Sequence, residues 1–240
     1  MVLCARREQP DRQGVARPTG GSANGCGLTE RAQPDCPGAS QTTRGSDTNM
    51  RTFVAIEIPK PLKLSLDRSV EEIRSSLEDG LIRWVRLESM HLTLKFLGEI
   101  EMEQVHTIQG VLDQIAERFS SFNLEIAGFG CFPNFSRPRV AWIGFKPEGG
   151  DLPRLQSELE SRLEKIGFER EQRGYHPHLT LGRVRKGLSG SDMKLISIWA
   201  QEAQIGTVGR FEADAINLIR SVLKPDGAVY SNLHVARLTS

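Results

Sequence analysis

The chain has 240 residues, of which 31 are Lys or Arg and 30 are Asp or Glu, giving a formal net charge of +1 at pH 7. This balance excludes the strongly basic surface needed for tight, non-specific nucleic-acid binding, whereas a small nucleotide needs only a local basic patch. Hydrophobic residues make up 38% of the chain, and no apolar run approaches the roughly 20 residues of a membrane span. We therefore expect a globular protein with a buried core and no membrane association.

Cysteine use points to a reducing compartment. Three of the four cysteines lie near the start of the chain, without Cys-x-x-Cys spacing or a neighbouring histidine, so no zinc site is predicted. Cys131 stands alone in the remainder, which argues against a disulfide framework and fits the cytoplasm.

Residues 1–49 differ in composition from the rest of the chain. They contain no aromatic residue, few aliphatic residues and no helical or alternating period. Such a segment cannot bury enough surface to offset its ordering entropy, so we expect a disordered N-terminal extension. It lacks the apolar region of a secretory signal. Because the ordered pattern begins at Met50, we hypothesise that Met50 is the native start, which an intact mass from the native host would test.

From residue 50 onward the sequence alternates strand-like and helix-like periods. Strands are predicted where apolar residues alternate or run together, at 53–58, 81–85, 91–97, 122–129, 139–145, 178–184, 209–221 and 228–238. Helices are predicted where apolar residues recur three or four positions apart, at 61–77, 101–119, 152–166 and 191–203. Gly167 is expected to end the third helix, Ser191 and Asp192 to cap the fourth, and a turn at 224–227 to join the last two strands.

The order of these elements favours an α+β fold. Few clean βαβ units occur, so the sheets are predicted to be antiparallel. We expect a single domain over 50–240, built from two similar lobes with flanking helices and a cleft between them.

The most informative feature is a tetrapeptide, His-Leu-Thr-Leu, that occurs at 91–94 and again at 178–181. The copies lie 178 − 91 = 87 residues apart, although similarity around them is weak. Both lie on predicted strands, where residues i and i+2 point to the same face. Each copy therefore presents an imidazole beside a hydroxyl, with its leucines on the opposite face.

Two such pairs suit the hydrolysis of a phosphodiester. Two histidines can act as general base and general acid, and two hydroxyls can hold an anion. A single His-x-Thr on a strand would mean little, because an isolated histidine there is usually structural. It is the repetition in two halves of the chain that favours a shared site.

Neighbouring residues carry less specific signals. His176 and His178 could ligate a metal, but no third ligand lies nearby in sequence, and Pro177 more simply marks the start of a strand. Arg183 and Lys95 could each contact phosphate or remain ordinary strand residues. Tyr230 could border the cleft or pack across strands. Trp142 and Phe132 could stack on a base, although core packing is the more common role.

Longer motifs around these positions resemble the 2H phosphoesterase superfamily, and within it the RNA 2′,3′-cyclic phosphodiesterase (2′-5′ RNA ligase-like, LigT-type) family. The segments that carry the resemblance are 51–56, 90–98, 175–184, 218–223 and 227–230. They span nearly all of the chain after residue 50, while residues 1–49 have no counterpart.

The resemblance implies a bilobal fold with a pseudo-twofold cleft and no metal or other cofactor. It implies that His91 and His178 are catalytic and that Thr93 and Thr180 hold the phosphate, with Arg183 and Tyr230 as further substrate-binding residues. We assign His178 as the base and His91 as the acid. The implied partners are RNA ends or nucleotides carrying a 2′,3′-cyclic phosphate, bound by a monomer. The expected product is a 2′-phosphomonoester, and the reverse reaction would join tRNA-like ends through a 2′-5′ bond.

Two other functions stay open. One is a different activity of the superfamily, hydrolysis of 2′-5′-linked oligoadenylate or of ADP-ribose cyclic phosphate. The other is a nucleotide- or RNA-binding module without turnover, which would bind its ligand and leave it intact.

Overall fold

The computed structural model of the chain describes residues 49–147, 149–224 and 227–240. Nine strands occur in this part of the chain: β1 (Asn49–Glu57), β2 (Ile82–Trp84), β3 (His91–Glu101), β4 (Phe122–Phe132), β5 (Val140–Pro147), β6 (His178–Val184), β7 (Thr207–Ala213), β8 (Ala215–Lys224) and β9 (Gly227–Arg237). The predicted extension lies outside the described residues, apart from Asn49, which begins β1.

Within the same described residues, a short 3-10 helix (Leu87–Ser89) and four α-helices accompany the strands: α1 (Lys60–Arg74), α2 (Met102–Ala116), α3 (Asp151–Glu164) and α4 (Gly190–Glu202). Each α-helix begins and ends within a few residues of its predicted bounds. Gly167 adopts φ +98° just after α3, as predicted for a helix-terminating glycine. The predicted α4 cap is confirmed for Asp192, whose carboxylate accepts from the Ser189 backbone N–H at 3.0 Å. It was wrong for Ser191, because the side chain of Ser189 accepts the hydrogen bond from the Asp192 backbone N–H at 3.1 Å. None of the described helices is long and apolar enough to cross a membrane.

The single strand predicted at 209–221 is two strands in two sheets. β7 ends at Ala213, β8 begins at Ala215, and the chain changes sheet at Asp214. The sequence hides this change because apolar residues continue on both sides and no glycine or proline marks it. In the following hairpin Lys224 pairs with Gly227, while the two central residues of the predicted turn, 225 and 226, lie outside the described residues.

Two antiparallel sheets form the frame, as predicted. One has the strand order β3-β1-β8-β9, and the other has the order β2-β6-β5-β4-β7. The motif strand β3 is followed by β1, β8 and β9, just as the motif strand β6 is followed by β5, β4 and β7. The lobes are therefore similar, but each mixes both halves of the sequence, because β8 and β9 complete the sheet that β1 and β3 begin.

One continuous core joins the sheets and helices. The apolar stripes of α2 and α3 are largely buried, with Ile108, Leu112, Leu155 and Leu159 at 0% exposure. Helices α2 and α3 pack against each other, and α3 also contacts β3. The helices thus cover one face of the sheets and leave the other face available for a site.

Candidate functional site

The two motif strands present the same pair of side chains. Leu92 and Leu179 are fully buried, whereas the histidine and threonine of each copy are only half-buried. The prediction that leucines enter the core and the imidazole and hydroxyl share the other face is confirmed. β3 and β6 also contact each other, so both pairs lie in one region of the molecule.

A β-bulge follows each threonine at the same position. On β3, Thr93 pairs with Ala55 and Lys95 with Val54, which leaves Leu94 as an extra residue. On β6, Thr180 pairs with Trp142 and Gly182 with Ala141, which leaves Leu181 extra. An extra residue reverses the alternation beyond it, so strict i, i+2 reasoning fails after each bulge.

The bulge on β3 removes Lys95 from the site. Its side chain lies in the core with 4% exposure, where Nζ donates to Glu160 Oε2 at 2.6 Å and to the Glu169 carbonyl at 2.7 Å. The interpretation of Lys95 as a phosphate contact on the histidine face was therefore wrong. Phe96, one residue later, takes that face instead, with its ring centroid 5.9 Å from that of Phe53.

The bulge on β6 has the opposite consequence for Arg183. Regular alternation would turn Arg183 away from His178, but the extra residue returns it to the histidine face. Arg183 is exposed, and its charge acts on the pKa of both His178 and Tyr230, although burial has the larger influence on each pKa. Arg183 thus lies near side chains of both sheets.

His91 lies in an aromatic enclosure. Its ring stacks on Phe53 with centroids 4.4 Å apart, and Tyr230 meets it edge-on at 5.1 Å. Burial, reinforced by the nearby Lys63 ammonium, lowers the pKa of His91 from 6.5 to about 4. A hydrogen bond with the Ser89 backbone opposes this shift. His91 is therefore neutral at pH 7.

His178 lies in a matching enclosure on the other sheet. Phe132 meets its ring edge-on at 5.0 Å, and Trp142 lies 6.2 Å away. Burial lowers the pKa of His178, which a hydrogen bond to the His176 backbone partly opposes. Nδ1 lies 2.8 Å from the His176 carbonyl oxygen, so Nδ1 carries the proton and Nε2 is free to accept one.

Further contacts join the two motifs. The Tyr175 hydroxyl, three residues before His178, donates to the Thr93 carbonyl at 3.2 Å. Across residues 49–147, 149–224 and 227–240, neither the Thr93 nor the Thr180 hydroxyl has a hydrogen-bond partner. Both hydroxyls are therefore available to an anion.

Local packing argues against a metal on the His176-Pro177-His178 segment. His176 is exposed, and Nδ1 of His178 is occupied by a backbone carbonyl. Within the described parts of the chain, no group of three or more His, Cys, Asp or Glu side chains could hold a metal ion.

Sequence reasoning missed two neighbours of His91, Phe53 and Lys63. Phe53 could have been inferred from its place opposite β3, whereas the approach of Lys63 depends on how α1 packs. Trp142 and Phe132, for which base stacking and core packing were both considered, border His178. A cavity of about 650 Å³ lies between α1 and α4 and is lined by neither motif.

Both halves of the chain match one family model, described as LigT like phosphoesterase, over residues 56–142 and 143–230. The matches begin 143 − 56 = 87 residues apart, which equals the separation of His91 and His178. The internal repeat therefore extends well beyond the tetrapeptide.

Among individual proteins, the RNA 2′,3′-cyclic phosphodiesterase of Archaeoglobus fulgidus is 34% identical over 187 residues, covering 78% of this chain and 99% of that protein. A crystal structure of a Thermus thermophilus protein superposes with a TM-score of 0.64 at 26% identity, covering 79% of this chain and 98% of that one. Escherichia coli LigT complexed with 3′-AMP gives a TM-score of 0.62 at 23% identity, covering 80% and 99%. At 23% identity, the similarity to Escherichia coli LigT shows a shared fold and no more.

Proposed function

This chain belongs to the LigT-like phosphoesterase family, as its motifs predicted, and we propose that it hydrolyses the 2′,3′-cyclic phosphate of RNA ends or nucleosides to a 2′-phosphomonoester. The observation that carries the proposal is the pair of imidazole and hydroxyl groups, repeated on two contacting strands. The similarity to an RNA 2′,3′-cyclic phosphodiesterase supplies the substrate class.

The proposed reaction needs one base and one acid. One histidine takes a proton from water as the water oxygen attacks phosphorus, and the P–O3′ bond breaks. The other histidine protonates the departing 3′ oxygen, leaving the phosphate on O2′. The attacking water oxygen and the departing 3′ oxygen lie in line on opposite sides of phosphorus. The two imidazoles must therefore approach phosphorus from opposite sides, as two similar lobes allow.

The anion is held by side chains between the two histidines. The Thr93 and Thr180 hydroxyls donate to the non-bridging oxygens, and the Arg183 guanidinium adds positive charge where charge develops in the transition state. Tyr230 borders the substrate through its contact with His91. No step in this scheme requires a metal.

Ligation follows from the same chemistry. If a 5′-hydroxyl of a second RNA end replaces water, the product is a 2′-5′ phosphodiester. We further propose that the protein acts on RNA ends as a monomer in the cytoplasm.

The test is hydrolysis of nucleoside 2′,3′-cyclic phosphates in the presence of EDTA, with the 2′- and 3′-phosphate products resolved. We expect the 2′ product, and we expect His91→Ala and His178→Ala each to lose at least about 100-fold in rate. His106→Ala, on the exposed face of α2, is the control and should keep full rate.

Other outcomes point to the alternatives. A full-rate single mutant of either motif histidine would contradict the mechanism, and activity only after metal is restored would contradict metal independence. Turnover of 2′-5′ oligoadenylate or ADP-ribose cyclic phosphate alone would identify another activity of the superfamily, and binding without turnover would identify a binding module.

A further inference from the structure

A second cavity, of about 250 Å³, opens on the same face of the four-stranded sheet as His91 and Thr93. The pairing of strands fixes this location. Ala55 pairs with Thr93 on one side and with Asn217 on the other, and Glu57 pairs with His91. The lining of the cavity includes Glu57, Asp214, Asn217, Asn232, Val235 and Arg237. The cavity therefore adjoins the motif carried by β3.

One polar side chain of this cavity is buried and only partly bonded. Asn217 is 4% exposed, and its amide nitrogen makes a single long hydrogen bond of 3.4 Å to the Ala55 carbonyl. The remaining donor and acceptor positions of the Asn217 side chain have no hydrogen-bond partner among the described residues. The Asn217 side chain can therefore complete its hydrogen bonding with a molecule that enters the cavity.

The other polar side chains of the cavity are held in place by hydrogen bonds to one another. Asn232 Nδ2 donates to Glu57 Oε1 at 3.0 Å, which holds the carboxylate in place and leaves its other acceptor positions open. Arg237 pairs with Asp214 at 2.9 Å at the end of the sheet. Two carboxylates against one guanidinium give the lining a net negative charge, which disfavours a phosphate.

The chemistry and size of the cavity suit a neutral heterocycle. Ala215 and Val235 supply apolar contacts for a ring, while the carboxylate and the amides can meet its edge. The volume lies below the roughly 300–1,000 Å³ of sites for drug-sized ligands, so it matches one base and not a dinucleotide.

We propose that this cavity is the nucleobase subsite for the nucleotide that carries the cyclic phosphate, and that it prefers guanine. Guanine presents two adjacent N–H donors, N1–H and the N2 amino group, which pair with the two oxygens of the Glu57 carboxylate. Uracil offers one imino donor flanked by two carbonyl acceptors, which face the same carboxylate unfavourably. This inference rests on the proposed phosphodiesterase function, whose phosphate site lies on the neighbouring strand.

The first experiment compares kcat/KM for the 2′,3′-cyclic phosphates of guanosine, adenosine, cytidine and uridine. We expect guanosine to exceed uridine by at least about tenfold, in line with the discrimination that a bidentate base contact provides. The difference should lie in KM more than in kcat, because the nucleobase takes no part in the bond that breaks.

Two variants locate the preference in the cavity. Glu57→Gln and Asn232→Leu should each bring guanosine and uridine to within about threefold of one another, chiefly by weakening guanosine. Both residues are exposed, so folding is not at risk. Glu99→Gln removes an exposed carboxylate from β3 outside the cavity and should leave the preference unchanged. Equal kcat/KM for all four substrates in the wild type would overturn the proposal.

Binding separates failure of the subsite from failure of the proposed function. Guanosine and uridine 2′-monophosphates are titrated calorimetrically into the full chain and into Glu57→Gln. Tighter binding of the guanosine compound, lost in Glu57→Gln, supports the subsite even if no cyclic phosphate is hydrolysed. Equal binding of both compounds would reject the subsite. The proposed phosphodiesterase function would then still be decided by the hydrolysis assay alone.

Discussion

At the level of single residues, the surroundings of the two histidines bear on which one is the base. The base must be neutral and the acid protonated before the reaction. Burial and the Lys63 ammonium bring the pKa of His91 to about 4, so His91 is poorly suited to carry a proton at pH 7. This favours His91 as the base, the reverse of the assignment made from the sequence.

Removing the Lys63 charge identifies the role of His91. Lys63→Met should raise the pKa of His91, since the neighbouring charge helps to lower it. In the pH profile of kcat/KM, the acid limb should then move to higher pH if His91 is the base. Movement of the alkaline limb would make His91 the acid instead. Lys60→Met, exposed on the same helix, is the control and should move neither limb.

The same lowered pKa predicts how stability depends on pH. The pKa of His91 is about 4 in the folded state and 6.5 unperturbed, so between these values the unfolded state binds more protons. The free energy of unfolding should therefore fall as pH falls from about 6.5 to 4. Urea denaturation across this range should give a smaller loss for His91→Phe than for the wild type. An equal loss of the free energy of unfolding in both proteins would contradict the lowered pKa of His91.

At the level of elements, Trp142 depends on a glycine beneath it. A Cβ atom on Gly130 would lie 2.2 to 2.7 Å from three atoms of the indole ring, so the ring or the strand would have to shift. Trp142 pairs with Thr180 in register and neighbours His178, so displacing it disturbs the second motif.

Gly130→Ala should consequently lower both stability and activity. We expect the free energy of unfolding to fall by about 1–3 kcal/mol, as for an overpacked site, together with a loss in kcat/KM. Gly110→Ala in α2 meets no atom within 4 Å and should instead stabilise the protein by about 0.5–1 kcal/mol. Denaturant titration and the hydrolysis assay check both variants. Unchanged stability in Gly130→Ala would mean that the ring can move aside.

The β-bulges mark how far the site could be predicted from the sequence. Period-two alternation placed His91 and Thr93 on one face, and their counterparts on β6, because both residues of each pair precede the bulge. Beyond it, alternation placed Lys95 on the wrong face and gave no reason to expect Phe96 near Phe53. Gly182, next to Leu181, is a local signal for a bulge, but no glycine or proline lies beside Leu94, where the bulge is defined only by pairing with a neighbouring strand.

At the level of the whole molecule, the two-lobed antiparallel frame followed from local periods, but the exchange of strands between lobes did not. Nothing near Asp214 indicates that β7 and β8 belong to different sheets. Residues of β7 pair with residues of β4 that lie 80 to 91 positions earlier, and residues of β8 pair with residues of β1 that lie 162 to 170 positions earlier. Such pairing is decided by long-range packing, which local propensity does not encode.

A buried ion pair joins the two halves of the chain behind the site. Lys95, on the first motif strand, pairs with Glu160 of α3, and their side chains are 4% and 6% exposed. Glu160 also accepts from the Gln156 side chain at 3.2 Å and from the Glu171 backbone at 3.3 Å. Removing one partner leaves a buried charge uncompensated, whereas removing both leaves an apolar contact.

Single and double substitutions should therefore differ sharply in the free energy of unfolding. Lys95→Met and Glu160→Leu should each cost about 3–5 kcal/mol, while the double variant should recover most of the loss, because no isolated charge remains in the core. Arg154→Met breaks an exposed pair with Asp151 on the same helix and should cost less than about 1 kcal/mol. Urea denaturation of the four variants measures these differences. Additive losses in the double variant would mean that each residue stabilises the protein through contacts other than the pair.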